Sequence, residues 1–424
     1  MTKYKNRIAD NILEEKLAGK GAVLIEGPKW CGKTTTAEHI AKSVLYMSDP
    51  GRLKANILLS QTNPELLLKG ETPRLIDEWQ IAPSLWDSVR FEVDHRHLFS
   101  QFILTGSAVP ADSSTIFHTG TGRFSFLRMR TMSLYESGES TGEISLGKLF
   151  DVPDAIFAQS ELNLEQICFL ICRGGWPLST YLSGKPALNQ ATDYYDAIVN
   201  SDISRVDNIS RDPERVKRLM RSFARNQGQQ VGDSTICKDM KANDSESLNP
   251  DTVHSYIGAL KKIFVVEDAP AWNPNLRSKS AIRTSDTRYF IDPSIAAASL
   301  GLGPGDLMND LENLGLLFET LAVRDLRVYA DALDGNIYHY RDKSGLECDS
   351  VLHLRNGKYG LIEIKLGGDR LIEEGAASLK KLSNQIDTEK MKSPSFMMVL
   401  TATGQIAYRR EDGVYVVPIG CLGA

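Results

Sequence analysis

Cysteine and histidine are scarce in this sequence, which has 424 residues but only six cysteines and seven histidines. The closest cysteines, Cys168 and Cys172, have no second Cys or His pair nearby, so neither a structural zinc site nor a disulfide framework is expected. Apolar runs such as 22–25 and 102–104 fall far below the roughly 18 apolar residues of a membrane helix. The first residues lack the apolar core of a signal peptide. These absences predict a cytoplasmic chain with reduced thiols.

Neither sign of charge dominates, because 49 basic and 54 acidic residues leave a formal net charge of −5. With 42% hydrophobic and 24% charged residues, the chain has the composition of a folded protein, which excludes disordered, collagen-like and disulfide-dense classes. Its length predicts about two to four domains. The acidic balance argues against a protein that coats nucleic acid, yet basic residues outnumber acidic ones in segments 201–230 and 271–290.

A glycine-rich loop lies between an apolar run and a segment compatible with a helix. The run 22–25 is typical of a buried parallel strand, and the segment after it satisfies the pattern G-x-x-x-x-G-K-[ST]. The amides of such a loop point inward at phosphates, with Lys33 expected on the β- and γ-phosphates and Thr34 on Mg²⁺. The predicted nucleotide-binding residues of the loop are Gly27, Pro28, Lys29, Trp30, Cys31, Gly32, Lys33, Thr34 and Thr35. The sequence therefore predicts that the chain binds ATP with Mg²⁺.

Two carboxylates, Asp77 and Glu78, end a second short apolar run. Asp77 is expected to contribute to the magnesium site by holding a magnesium-bound water, and Glu78 is expected to polarise the attacking water. A plain exposed strand end is the other interpretation of this pair. A third run ends in Thr105 and Ser107, which are expected either to bond the water or the γ-phosphate or to cap the strand.

The middle of the chain is predicted to be helical and basic. After a helical stretch over 162–199, a further helix is expected to carry Arg218, Arg221 and Arg225 on one face. Helices followed by two short strands with a basic tip indicate a winged helix, in which these arginines would neutralise DNA phosphates without reading sequence. A solvated helix face is an equal alternative. The other basic residues expected around the wing are Lys261, Lys262, Arg277, Lys279 and Arg283.

Several carboxylates and a lysine lie on the predicted helices and strands near the end of the sequence. Asp349 lies on one strand, while Glu363 and Lys365 share a face of the next. The two carboxylates are predicted to coordinate a divalent ion, with Lys365 stabilising the attacking water or the phosphate. Glu319 on the preceding helix and Gln385 on the following helix are expected to complete a nuclease-like site. A cross-strand ion pair is the alternative interpretation.

Seven segments taken together resemble a known family, and they are 25–34, 75–80, 102–107, 122–123, 132–136, 174–177 and 317–320. The chain resembles the prokaryotic AAA-type ATPases that join a P-loop core to a C-terminal domain of unknown function related to PD-(D/E)xK restriction-endonuclease-like nucleases. The resemblance implies ATP hydrolysis, with Arg123 as a γ-phosphate sensor or as a finger acting on a neighbouring subunit of a homo-oligomer. Cys348 stands where the nuclease signature has proline, which is a departure from that signature.

With this resemblance, the expected fold class is α/β with four parts. The parts are a P-loop AAA-type ATPase core at 1–140, a helical subdomain at 141–200, a winged-helix domain at 201–300 and a restriction-endonuclease-like domain of order αβββαβ at 301–424.

Two functions compete on this organisation. The first is an ATPase that acts on branched or damaged DNA through its winged-helix and nuclease-like domains, with metal-dependent cleavage as an extension. The second is a nucleotide-dependent regulatory switch whose C-terminal domain recognises a partner without cutting DNA. ATP-driven protein remodelling is a third hypothesis, for which the sequence offers no recognisable substrate-pore loop.

Overall fold

The computed structural model of the chain describes residues 3–107, 120–207, 209–241, 249–274, 285–389 and 391–424. The α-helices are α1 (Ile8–Gly19), α2 (Lys33–Ile40), α3 (Leu53–Thr62), α4 (Glu65–Leu68), α5 (Leu85–Arg96), α6 (Leu134–Ser137), α7 (Leu164–Arg173), α8 (Gly184–Ala197), α9 (Ile203–Arg205), α10 (Pro213–Arg225), α11 (Asp233–Lys241), α12 (Pro250–Lys262), α13 (Pro293–Leu300), α14 (Pro304–Met308), α15 (Leu311–Ala332) and α16 (Asp369–Gln385). The strands are β1 (Ala22–Glu26), β2 (Ser43–Tyr46), β3 (Arg74–Asp77), β4 (Phe102–Gly106), β5 (Phe124–Arg128), β6 (Ile144–Ser145), β7 (Ala158–Gln159), β8 (Gly335–Arg341), β9 (Glu347–Leu354), β10 (Tyr359–Lys365), β11 (Phe396–Thr401), β12 (Ile406–Arg409), β13 (Tyr415–Pro418) and β14 (Leu422–Gly423).

The first sheet is wholly parallel, with the strand order β2-β3-β4-β1-β5. The apolar residues of its central strands β1 and β4 are buried on both faces, as predicted for the run 22–25. The carboxyl ends of β1, β3 and β4 lie side by side, because Glu26 pairs with Gly106 and Asp77 pairs with Thr105. This edge therefore brings the loop after β1 close to the polar residues that end β3 and β4.

The second sheet has seven strands in the order β7-β12-β13-β11-β10-β9-β8. Its elements α15, β8, β9, β10, α16 and β11 follow one another in the predicted order αβββαβ. β9 and β10 are antiparallel neighbours, whereas β10 and β11 are parallel. β7, β12 and β13 extend the sheet beyond what the sequence predicted. The likeness to nucleases stays a prediction, because an order of elements does not fix an activity.

Three helices, α10, α11 and α12, occupy the segment predicted as a winged helix. Asp212 and Asn249 cap α10 and α12 by accepting hydrogen bonds from first-turn amides. After α12 the chain forms isolated antiparallel bridges rather than full strands, which pair 266 with 290 and 269 with 287. The winged-helix assignment therefore stays a prediction. Three basic residues predicted around the wing lie outside the described residues, and they are Arg277, Lys279 and Arg283.

One hydrophobic core extends from Leu134 to Leu422 and crosses the boundaries predicted at 200 and 300. Helix α15 contributes fully buried residues to it, among them Leu321 and Leu326. Residues 422–423 return as β14 and pair in parallel with β6. None of the helices in the described parts of the chain is long and apolar enough to cross a membrane.

A buried charge network joins the segment after β5 to α15 and to the start of α13. Asp292 accepts hydrogen bonds from Thr131 Oγ1 at 2.6 Å, from the amide of Gly175 at 3.0 Å and from Arg324 Nη1 at 3.1 Å. Arg324 also pairs with Asp325 at 2.7 Å. These groups are all buried. One guanidinium thus holds two carboxylates that would otherwise be buried without a counter-charge.

We expect Arg324→Met to lower the free energy of unfolding by about 3–5 kcal/mol, because it leaves buried carboxylates without their cation. Urea unfolding followed by circular dichroism measures the change. Arg370→Met is the matched control, since the Arg370–Glu374 pair is exposed and its loss is expected to change little. Equal effects of the two substitutions would contradict a stabilising role of the buried network.

Candidate functional site

The loop between β1 and α2 curls tightly at the carboxyl edge of the first sheet. Gly27 and Gly32 adopt φ values of 157° and 100°, and Trp30 adopts 64°. A Cβ atom on Gly27 would lie 2.1 Å from the carbonyl oxygen of Met129, so this position requires glycine. Cys31 is buried beneath the loop, with Sγ 3.7 Å from the same carbonyl oxygen. The predicted phosphate loop is therefore present, with glycines where its backbone needs them.

Lys33 and Thr34, the first residues of α2, lie where a phosphate-binding site needs them. The buried ammonium of Lys33 donates to the carbonyl oxygens of Gly27 at 3.0 Å and Pro28 at 2.7 Å, which places its charge inside the loop. Thr34 Oγ1 donates to Asp77 Oδ1 at 2.7 Å. Lys33 and Thr34 both line the cavity beside the loop.

Asp77 gathers two hydroxyl groups at the ends of neighbouring elements. Its Oδ1 accepts hydrogen bonds from Thr34 Oγ1 and from Thr105 Oγ1, each at 2.7 Å. Oxygen ligands from one hydroxyl and one carboxylate, together with phosphates and water, are what Mg²⁺ prefers. The residues present therefore fit a magnesium ion held by Thr34 and Asp77.

Glu78, which follows Asp77 at the end of β3, lines the cavity beside the phosphate loop. Its Oε2 accepts a hydrogen bond from Gln80 Nε2 and another from Ser107 Oγ at 3.5 Å. Glu78 and Ser107 line one cavity with Lys33 and Thr34. The carboxylate thus lies in the cavity that holds the phosphate loop, as a residue that activates water must.

This cavity has a volume of about 1170 Å³ and two walls. The phosphate loop, including Thr35, forms one wall. Helical residues between 176 and 206 form the other, and two contacts tie it to the loop: Lys29 Nζ lies 2.6 Å from Asp202 Oδ1, and the Trp30 ring lies 5.8 Å from that of Tyr194.

Sequence reasoning did not identify the second wall. The exposed Arg205 of α9 lines the cavity, although the sequence marks it only as one of several basic residues. Tyr4 and Tyr181 line it as well. No local pattern signals these residues, because only the folded chain brings them to the loop.

Arg123 is displaced from this site, which corrects its prediction as a sensor of its own chain's γ-phosphate. Its carbonyl oxygen accepts a hydrogen bond from the amide of Ala22, at the start of β1, whereas the phosphate loop follows the end of that strand. Five strand residues separate the two edges by about 13 Å. The Arg123 side chain instead pairs with Asp94 at 2.7 Å. An action on a neighbouring subunit is the part of the prediction that this position allows.

The C-terminal carboxylates converge as predicted, but around an ammonium group. Lys365 Nζ lies 3.1 Å from Asp349 Oδ2, and it also pairs with Glu363 Oε2 at 2.5 Å. The amide of Ile364 donates to Asp349 Oδ2 at 2.7 Å. Glu319 lies near them on α15, where its Oε1 accepts a hydrogen bond from the Tyr289 hydroxyl at 2.5 Å. The sequence therefore predicted the cluster, and the ion pair it named as the alternative is present.

The two carboxylates are paired with an ammonium group in the structure, so the assignment of Asp349 and Glu363 as metal ligands stays a prediction. Lys365 already supplies both carboxylates with a positive charge. Across the described residues, no group of three or more His, Cys, Asp or Glu side chains is arranged to hold a metal ion. The lysine ammonium therefore lies within ion-pair distance of both acids.

Gln385 is also misplaced by the sequence prediction. Helix α16 contacts Glu363 through Ser378, whose Oγ lies 3.4 Å from Glu363 Oε1. Gln385, the last residue of α16, is exposed and lies seven residues further along, which is about 10 Å along the helix axis. The prediction chose the right helix and the wrong turn.

The arginine face of α10 is present. Arg221 and Arg225 are exposed and Arg218 is partly exposed, while Leu219 and Phe223 are buried on the opposite side. Lys261 is paired with Asp268 at 2.7 Å, which removes it from the freely available basic residues. The helix therefore presents the arginine face that the sequence predicted, and DNA binding by this face stays a prediction.

Three parts of the chain match families, and only one match names a kind of protein. Residues 19–138 match the family described as AAA domain. Residues 164–306 match a domain of unknown function (DUF8612), and residues 314–422 match another (DUF4143). Together with the geometry of the phosphate loop, the first match identifies an AAA-type ATPase domain within an α/β fold. The other two matches leave the winged-helix and nuclease-like assignments as predictions.

Among curated proteins, the chain is similar to the uncharacterized proteins Rv2008c of Mycobacterium tuberculosis and Mb2031c of Mycobacterium bovis. Each is 22% identical over 346 residues, which cover 81% of this chain and 70% of the relative.

Among solved structures, likenesses include the Walker-type ATPase PABY2304 of Pyrococcus abyssi, at 13% identity over 70% of this chain and 96% of that one, with a TM-score of 0.43. RuvB of Thermotoga maritima is 18% identical over 62% of this chain and 88% of its own, with a TM-score of 0.28. The Orc1 protein of Aeropyrum pernix, solved in complex with DNA, is 11% identical over 70% and 92%, with a TM-score of 0.24.

Glu319→Gln is expected to stabilise the protein at alkaline pH. Burial, and then the nearby Asp349 carboxylate, raise the pKa of Glu319 above its usual range. When folding raises the pKa of a carboxyl, the free energy of unfolding of the protein falls as the pH rises from the unfolded-state pKa of about 4.3 through the folded-state pKa. A glutamine does not ionise, so it causes no such fall. Urea unfolding should therefore show that the free energy of unfolding of the variant, relative to that of the wild type, is higher at pH 9 than at pH 5. Glu312→Gln, at an exposed position of α15, is the control, and an unchanged pH dependence in Glu319→Gln would contradict the assignment.

Proposed function

We propose that the chain is a magnesium-dependent ATPase that uses ATP hydrolysis to act on DNA. One observation supports the hydrolytic part above all: Lys33, Thr34 and Glu78 line one cavity beside the phosphate loop, and Thr34 is hydrogen-bonded to Asp77 behind it. These are the groups that phosphoryl transfer to water requires, namely a phosphate clamp, a metal shell and a water activator.

The proposed mechanism assigns one task to each group. The loop amides and Lys33 bind the β- and γ-phosphates, and Lys33 exchanges its bonds to Gly27 and Pro28 for phosphate oxygens. Thr34 and Asp77 would hold a magnesium ion, which would supply positive charge to the phosphates. Glu78 accepts a proton from the attacking water. Arg205 lines the same cavity as the phosphate loop, and its guanidinium is proposed to pair with the charge on the γ-phosphate.

Two substitutions should separate binding from hydrolysis. Lys33→Ala is expected to weaken nucleotide binding, because it removes the charge that clamps the phosphates. Glu78→Gln is expected to keep ATP binding but to lower turnover by about 10²–10⁴-fold, because the amide cannot take a proton from water. Fluorescence titration with a labelled ATP analogue measures binding, and phosphate release measures turnover. Equal turnover in wild type and Glu78→Gln would remove Glu78 from the mechanism.

We also propose that the chain self-associates, with Arg123 completing the site of a neighbouring subunit. The support is its position at the exposed, opposite edge of the first sheet, where its own nucleotide is out of reach. Sedimentation with a non-hydrolysable ATP analogue should show an oligomer, and Arg123→Ala should lower turnover by on the order of 10³-fold without loss of ATP binding. A strict monomer with full activity would refute this arrangement.

DNA binding is proposed for the arginine face of α10. Its exposed guanidinium groups project from one side of the helix, as phosphate contacts do, and no base-reading constellation accompanies them. Affinity is therefore expected to depend strongly on salt and weakly on sequence.

Charge reversal tests this surface. Changing Arg218, Arg221 and Arg225 to Glu should abolish the electrophoretic shift of forked DNA and leave DNA-free ATP hydrolysis intact, because those residues lie outside the nucleotide cavity. A control with three reversals at exposed positions of the ATPase domain uses Arg52, Lys54 and Lys69, and it should still bind. Normal DNA binding by the α10 variant would place the contact elsewhere.

A second candidate function is a nucleotide-dependent switch whose C-terminal part recognises a partner without cutting DNA. The observation that favours it is the pairing of Lys365 with both Asp349 and Glu363, which leaves the cluster satisfied without a metal ion. Recovery of intact DNA after incubation with Mg²⁺ supports this candidate, whereas cuts that disappear in Asp349→Ala would favour cleavage.

A further inference from the structure

The backbone of Glu78 is held in an unusual conformation by the turn that follows it. Glu78 has φ 57° and ψ 46°, a left-handed conformation that non-glycine residues seldom adopt, and its carbonyl oxygen accepts the amide of Ile81 at 3.0 Å. The next residue, Trp79, is buried and packs against Trp86 with ring centroids 5.1 Å apart. This anchored turn sets the direction in which the Glu78 side chain leaves the sheet.

The two oxygens of the Glu78 carboxylate are treated differently by their surroundings. Gln80 Nε2 and Ser107 Oγ both donate to Oε2. Within the described parts of the chain, no hydrogen bond is made to Oε1. Since Glu78 lines the cavity of the phosphate loop, Oε1 is the oxygen available to a water molecule there.

The Gln80 amide reaches this position because residue 106 has no side chain. A Cβ atom on Gly106 would lie 2.9 Å from Gln80 Oε1 and 3.1 Å from Trp79 Nε1. Gln80 Oε1 is itself buried without a hydrogen-bond partner, which is unfavourable for a polar atom. The hydrogen bond from Nε2 to Glu78 is therefore the contact that keeps the Gln80 amide against Gly106 at the end of β4.

We propose that Gln80 is a positioning residue for ATP hydrolysis, which orients the Glu78 carboxylate so that Oε1 faces the attacking water. The inference rests on the proposed ATPase function. Gln80 lines the same cavity as Glu78, and the role proposed for it is to act through the carboxylate to which its amide is bonded. Removing the amide frees the carboxylate to rotate, so fewer molecules hold the water in line with the γ-phosphate. Nucleotide binding is expected to be unchanged in Gln80→Leu, because the phosphate clamp and the metal shell are built from Lys33, Thr34 and Asp77.

A double-mutant cycle separates this role from a merely structural one. Gln80→Leu is expected to lower kcat about tenfold or more with KM for ATP unchanged, since an orienting group acts on the chemical step. In a Glu78→Gln background, the same Gln80→Leu substitution should leave the residual single-turnover rate unchanged, because no carboxylate remains to be oriented. A structural role of Gln80 would lower both rates by the same factor.

Two further variants guard the test. Gly106→Ala should reproduce the kcat loss of Gln80→Leu, because its methyl group displaces the amide while Gln80 itself remains. Gln61→Leu, which removes an exposed amide on α3, should leave kcat at the wild-type value. Thermal unfolding and binding of a labelled ATP analogue are measured for every variant, so that a folding defect is recognised.

The outcomes distinguish the inference from the function on which it rests. Hydrolysis by the wild type that is lost in Glu78→Gln but unchanged in Gln80→Leu overturns the role of Gln80 and leaves the ATPase function standing. Equal losses from Gln80→Leu in both backgrounds also overturn it. No magnesium-dependent hydrolysis by the wild type refutes the proposed function, and the inference with it.

Discussion

The arrangement of the chain depends on guanidinium groups buried where its parts meet. Arg130, just after β5, pairs with Glu267 at 2.6 Å and with Asp331 on α15 at 2.5 Å. Burial alone would favour a neutral Glu267, but the Arg130 guanidinium outweighs it and holds the pKa of Glu267 below its usual range. Because a buried ion without its partner is very unfavourable, a displacement of one part relative to another that left these groups buried but unpaired would be disfavoured. The relative placement of these parts is therefore fixed by electrostatics as well as by the shared apolar core.

The same region is connected to the phosphate loop through Arg7. This buried arginine donates to the carbonyl oxygens of Cys31 at 2.8 Å and of Arg130 at 2.9 Å, and its Nε donates to Glu136 at 3.0 Å. One guanidinium thus contacts the loop, the segment that enters the buried network, and the first turn of α6. A shift of the loop has a direct mechanical connection to the elements that carry the middle and C-terminal parts.

Local patterns in the sequence were sufficient for some of this structure and insufficient for the rest. The phosphate loop, the end of β3 and the end of β4 are each a short continuous segment of sequence. Their residue types alone therefore predicted Lys33, Asp77 and Glu78 at one edge of the sheet. Arg123 was misplaced because a glycine-arginine pair does not by itself indicate at which edge of the sheet it will lie. The two-residue period of a strand placed Glu363 and Lys365 on one face, whereas the second wall of the cavity depends on packing between distant segments that no local period encodes.

The return of β14 to β6 has a consequence for the synthesis of the chain. Ser140 Oγ donates to the carbonyl oxygen of Leu422 at 2.7 Å, and Ser145 Oγ donates to that of Ala424 at 2.7 Å, across sequence separations of 282 and 279 residues. At ribosomal rates of about 5–20 residues per second, the edge of β6 is exposed on the order of tens of seconds before its partner strand emerges. During translation the ATPase domain can fold early, while the shared core of the remaining parts closes only after residues 422–424 have been made. A nascent chain stalled before that point would present an unpaired strand edge to chaperones and to other nascent chains.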